Sequence, residues 1–126
     1  MTIMYDGVLI TQSLRPGTEL DGMRLVVTKI TTFDNASAAA DQPTRWTLLY
    51  FAVDEADADR LAAWLADSLI AEPGVWYADF KNASEHFVIF PERIFRYRIG
   101  DNTARARAVD HGRRLGVPEA QLDWGD

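Results

Sequence analysis

The decisive stretch is Trp76-Tyr77-Ala78-Asp79-Phe80-Lys81-Asn82, followed after Ala83-Ser84 by Glu85-His86-Phe87-Val88-Ile89-Phe90 and, beyond Pro91, by Ile94-Phe95-Arg96-Tyr97-Arg98-Ile99. It reads as three short strands. Aromatic and β-branched residues fill each run, and small residues or proline separate the runs. A turn centred on Ala83-Ser84 pairs Asn82 with Glu85, Phe80 with Phe87 and Ala78 with Ile89. Side chains alternate along a strand, so those pairs share the core face with Trp76. Phe95, Tyr97 and Ile99 are expected on the same face. That requires a three-residue loop, Pro91-Glu92-Arg93, with Phe90 opposite Ile94. A two-residue loop would turn Arg96 inward, which is costly unless its charge is paired.

With that register the outer face collects Tyr77, Asp79, Lys81, His86, Val88, Phe90, Ile94, Arg96 and Arg98. Three chemistries are open to it. Asp79 could orient His86 as a general base, while Arg96 or Arg98 holds an anion through its forked donors, the pattern of a small hydrolase or lyase. Tyr77, Lys81, Phe90, Arg96 and Arg98 could instead bind a ligand or partner without catalysis, since a greasy centre with a polar rim suits an interface. The same residues could also be a solvated sheet face with cross-strand charge pairs. The apolar members ask for a cover, supplied either by the first strands or by another chain.

Working outward, residues 5–13 and 23–33 are β-like and form either a long hairpin or two consecutive strands, and residues 34–44 read as a flexible loop. Trp46 to Val53 is apolar on both faces, as a central strand is. Asp54 then caps a helix whose stripe is Ala58, Leu61, Leu65, Ser68 and Leu69, stopped near Ala71 by Pro73-Gly74. After the three strands, Asp101 caps a second helix over residues 102–115, with Ala104, Ala108, His111 and Leu115 inward and Gly116 at its end. Leu122 and Trp124 anchor the tail. The expectation is one domain over residues 1–126 of α+β class. Its sheet is mostly antiparallel, of about six strands in the order β-β-β-α-β-β-β-α, with the two helices packed on one face.

Composition narrows the function classes. The 126 residues are 48% hydrophobic, which is enough for a core and excludes disorder. Acidic residues outnumber basic ones 19 to 13, for a net charge of -6, which argues against nucleic acid as a partner. The charge is uneven: residues 93–114 hold seven arginines against Asp101 and Asp110. There is no cysteine, so disulfides, thiolate nucleophiles and cysteine-held metals are ruled out, and two histidines make a weak zinc site. No cofactor or metal is expected. No phosphate-cradling glycine loop and no Gly-x-Ser-x-Gly elbow is present. A cytoplasmic protein is expected, away from membranes, with a second copy of the chain or another protein as its partner.

The run Trp76-Tyr77-Ala78-Asp79-Phe80-Lys81-Asn82, the later Phe87-Val88-Ile89-Phe90 and the closing Gly116-Val117-Pro118-Glu119-Ala120-Gln121-Leu122-Asp123-Trp124 together resemble a group of small uncharacterised bacterial proteins. The resemblance covers roughly the last two-thirds of the chain. It implies a stand-alone bacterial domain and attaches no activity to any of these positions.

Overall fold

The computed structural model describes residues 3–126. Six strands form one sheet: β1 (Met4–Ile10), β2 (Val26–Asp34), β3 (Arg45–Asp54), β4 (Ala78–Lys81), β5 (Glu85–Phe90) and β6 (Arg93–Arg98). The helices are α1 (Glu55–Ser68) and α2 (Asn102–Leu115). The sheet order is β2-β3-β1-β4-β5-β6, and every neighbouring pair is antiparallel. The α+β class and the antiparallel six-stranded sheet match the sequence expectation. The first two strands are not a hairpin, because β3 lies between them. α1 carries the chain from β3 across β1 to β4, so β3 and β4 run parallel with β1 between them.

The helices are not on one face. Ala58, Leu61 and Leu65 of α1 share a core with Tyr5, Phe51, Val53, Phe80, Phe87 and Ile89. Ala108 of α2 shares a second core with Val88, Phe90, Tyr97, Val117, Leu122 and Trp124. Phe87 and Ile89 alternate with Val88 and Phe90 along β5, so the two cores lie on opposite faces of the sheet. His86 through Phe90 are all buried, which makes β5 a strand covered from both sides. The inward stripe of α2 is also rotated from the expected one. Ala108 and Gly112 are buried, whereas Leu115 is exposed. A Cβ on Gly112 would lie 2.7 Å from Leu122 Cδ2 and 2.9 Å from Phe90 Cε1, so the helix backbone rides directly on the second core.

The turn between β5 and β6 corrects the expected register. Phe90 pairs with Arg93, Val88 with Phe95, Phe87 with Arg96 and His86 with Tyr97. The connection is therefore the two residues Pro91 and Glu92, with Glu92 at φ 62. Proline favours the first position of such a turn and a positive φ suits the second. The Glu92 N–H bonds the Ala66 carbonyl at 2.9 Å, so the end of α1 helps to fix the turn. Phe95 and Tyr97 consequently join the second core, and Arg96 and Arg98 move to the α1 face. The cost of an inward arginine is avoided. Arg96 lies over the Phe87 ring at 4.8 Å, grips both Glu85 oxygens at 2.6 and 3.1 Å, and reaches Asp59 at 3.1 Å. Hydrogen bonding to Arg96 holds the Glu85 carboxyl below its ordinary value.

Over the first core the rings are stacked across strands. Phe80 and Phe87 lie face to face at 4.6 Å, and Tyr5 meets both edge-on at 5.8 and 5.3 Å. Gly7 lets this happen. A Cβ there would sit 2.6 Å from Phe80 Cβ and 2.7 Å from Phe51 Cζ. Gly7→Val is therefore expected to lower stability by about 1–3 kcal/mol in urea or thermal unfolding, through overpacking. Native-like stability of that variant would refute the close packing over β1. At the β5–β6 turn, Glu92→Gly relieves a left-handed backbone and is expected to raise stability by about 0.5–1 kcal/mol. A loss of stability would show that this turn is not strained.

Candidate functional site

β4 and β5 bring Asp79 and His86 together. Asp79 pairs with Val88 and Lys81 with His86, so Asp79 and His86 are diagonal neighbours on the face away from α1. His86 Nε2 donates to Asp79 Oδ2 at 2.7 Å. The distance demanded by the His–Asp reading is met. The other ring nitrogen is also engaged: Nδ1 lies 2.6 Å from Asp126 Oδ1. Both ring nitrogens of His86 are therefore engaged by carboxylates. The ring is wholly buried, with an anion on each side. A buried polar ring so flanked keeps hydrogen-bond partners in place of the water it has lost.

Tail residues are the cover that the outer face required. Trp124 donates to Tyr97 Oη at 2.9 Å, and Tyr97 Oη donates to Asp126 at 2.8 Å. Lys81 Nζ donates to the Gly125 carbonyl at 2.6 Å, and Arg105 to the Trp124 carbonyl at 2.6 Å. Tyr77 donates to the Gln121 carbonyl and packs on Trp124 at 5.3 Å and Phe90 at 5.5 Å. Burial, with the Asp79 and Asp123 charges, pushes the Tyr77 phenol up. Burial also raises the Tyr97 phenol, helped by Asp126. Burial pushes the Asp126 carboxyl up, but hydrogen bonds from His86 and Tyr97 and the charges of His86 and Arg105 outweigh it and hold the group below its ordinary value.

The expected site residues therefore divide. Asp79, His86, Tyr77, Lys81 and Phe90 share a face, and all but Asp79 are committed to packing or to holding the tail. Arg96 and Arg98 lie on the other side of the sheet and cannot serve as an anion clamp for His86. Tyr97 and Asp126 were not expected beside His86. The shifted register hid Tyr97. Asp126 could be found only by noticing that Leu122 and Trp124 dock the tail onto this face.

Asp79 remains open. Its side chain is 30% exposed, and Oδ1 has no hydrogen-bond partner among the described residues. It borders a cleft of about 470 Å³ between the tail and the outer face of β1, β3 and β4. The lining includes Val8, Ile10, Leu48, Trp46, Trp76 and Tyr77, with Asp79 and Asp123 as the charged members and Asn35, Ser37 and Gln121 as the neutral polar ones. Trp46 and Trp76 meet at 5.3 Å. The 35–44 segment is tied across to the tail by a reciprocal Gln42–Gln121 amide pair, both bonds 3.0 Å. The size and the apolar lining with few polar groups are those of a small-molecule site.

The chain matches no family model, no curated protein and no solved structure. Among the described residues no group of three His, Asp or Glu is placed to hold a metal ion. No helix among them is long and apolar enough to cross a membrane.

Asp126 gives the tail an acid dependence. Its folded value lies below the ordinary 3.8, so its contribution is full above that pH and is lost as pH falls through the lower folded value. Trp124 fluorescence should report undocking at the acid end in the native chain. Asp126→Asn should weaken docking at neutral pH and flatten that limb. Identical acid profiles would remove the His86–Asp126 contact from the account.

Proposed function

We propose that the protein is a cytoplasmic, non-catalytic small-ligand-binding protein whose site is the cleft beside Asp79. The ligand has an apolar body that fits between the tryptophan pair and the aliphatic walls, and a cationic or N–H-rich end that meets the carboxylate. One observation carries this reading: a carboxylate held from behind by the buried His86 ring, with one oxygen free of hydrogen bonds, in the lining of a mostly apolar cleft. Asp123 adds a second negative charge. The cytoplasmic part rests on the sequence expectation alone.

The hydrolase or lyase reading draws support from the 2.7 Å contact between His86 and Asp79. It lacks a free lone pair, because both ring nitrogens are engaged and the ring has no exposure. A general base must reach the proton it removes. A partner chain on the meander face is also unsupported, because α2 and the tail already bury Phe90 and cover Tyr77.

Phenethylamine and its carboxylate counterpart, phenylpropionate, separate the possibilities. The amine should quench cleft tryptophan fluorescence and raise Tm by mass action, and the carboxylate should do neither. Asp79→Asn should weaken the amine about tenfold, the loss of one charge-assisted contact. Equal response to both probes, or an unchanged response in Asp79→Asn, would overturn the proposal.

A further inference from the structure

The seven arginines of residues 93–114 are sorted by the fold into those that tie separate elements together and those that do not. Arg96 holds Glu85 and Asp59, Arg105 holds the tail, and Arg113 holds both oxygens of Glu119 at 3.0 and 2.7 Å. Of the remaining four, three converge on one place, and only Arg98 stands apart. Arg93 from β6 and Arg107 and Arg114 from α2 line a cleft of about 210 Å³ with Phe95, Asp110 and His111. The spacing 107, 111, 114 is one side of a helix. Residues 93 and 95 share a face of β6.

We propose that this cleft between β6 and α2 is a second binding site, one that takes a small phosphorylated ligand, a phosphate monoester or a diphosphate, between the guanidiniums of Arg93, Arg107 and Arg114.

The charge balance favours it. Asp110 is the only acid in the lining, and Arg114 already neutralises it. Arg93 lies over the Phe95 ring at 4.7 Å, and neither it nor Arg107 has a carboxylate or hydrogen-bond partner among the described residues. Two cations are thus left unsatisfied at one spot on a chain whose net charge is -6. Guanidinium forks match phosphate oxygens in pairs, and the stack on Phe95 presets the orientation of one of them. The volume suits a phosphate with a few further atoms, not a long polymer.

His111 strengthens the case from the inner wall. It packs on Phe90 at 5.2 Å and Phe95 at 5.3 Å, and its Nε2 is buried without a partner. Burial first, then the Arg93 and Arg114 charges, lower its proton affinity, with only Asp110 opposing. Arg107 is the remaining charged neighbour, and Phe90 and Phe95 bring no charge. A phosphate dianion among these groups would offset the part of that lowering that comes from the Arg93 and Arg114 charges. Ligand binding should therefore raise the His111 pKa.

The site shares no lining residue with the Asp79 cleft, so its test is independent. Pyrophosphate is titrated at low salt into the native chain and into Arg93→Gln and Arg107→Gln. These are exposed positions whose variants should keep the native circular dichroism. NMR follows the arginine Nε–H groups and the His111 ring. The proposal expects shifts confined to Arg93, Arg107, Arg114 and His111, an upward move of the His111 titration, and about tenfold weaker binding in each variant. Shifts spread evenly over Arg24, Arg45 and Arg60 would overturn it, as would unaltered affinity in both variants. A single-stranded oligonucleotide that binds far more tightly than pyrophosphate, with a steep salt dependence, would also overturn it in favour of a nucleic-acid surface.

Discussion

A strand whose side chains are apolar on both faces has to be covered twice, and β5 is that strand. Phe87 and Ile89 are sealed by α1, and His86, Val88 and Phe90 by α2 and the tail. Everything distinctive about the molecule follows from the second cover. It puts the helices on opposite sides, and it draws the tail across the face of β4 and β5. It leaves the outer surface of β1 and β3 without a helix of its own. The Asp79 cleft is what remains between the covered and the uncovered halves of that face.

The same constraint explains which strand pairings were legible. Alternation placed β4 against β5 correctly because Phe80, Phe87, Ala78 and Ile89 agree on one face and a polar set, Asp79 and Lys81, marks the other. Alternation failed for β6. Placing Phe95 and Tyr97 with Phe80 and Phe87 assumed one core, and with a core on each side either parity buries aromatic rings. The remaining discriminator was the price of Arg96. That was set too high, because neither the bidentate hold of Glu85 nor the reach of Asp59 from α1 is visible in a local reading. The helix starts and the end of α2 were legible, whereas α1 stops at Ser68, short of the expected end near Ala71, because Leu69 turns extended to bridge Leu14. Asp54 and Asp101 cap their helices by accepting from Ala56 and Ala104, and Gly116 ends α2 at φ 93.

At the candidate site, what was legible was local and what was hidden was distant in sequence. Asp79 and His86 are seven residues apart across one tight turn, so their meeting follows from the turn. Asp126 is 40 residues from His86, and its arrival depends on how Leu122 and Trp124 seat. That single distant contact changes the chemistry. An imidazole with one carboxylate is a candidate base, whereas an imidazole between two carboxylates has both ring nitrogens occupied and none free to meet a substrate. The functional weight moves from His86 to Asp79, the partner that keeps a face toward solvent.

Net charge describes the chain as acidic, yet the fold segregates the charges instead of averaging them. Asp79 and Asp123 border the cleft on one side of the tail, and Arg93, Arg107 and Arg114 meet at the far edge of α2. Arginines that stabilise the fold are spent on carboxylates nearby: Arg96 on Glu85, Arg113 on Glu119, Arg45 on Asp34. Exposed pairs of that kind contribute little each and need no functional reading. The informative charges are those left without an ion-pair partner among the described residues, Arg93 and Arg107, and the free oxygen of Asp79. An unpaired group beside an apolar wall keeps its full capacity for a ligand, and an overall charge cannot report where such groups lie.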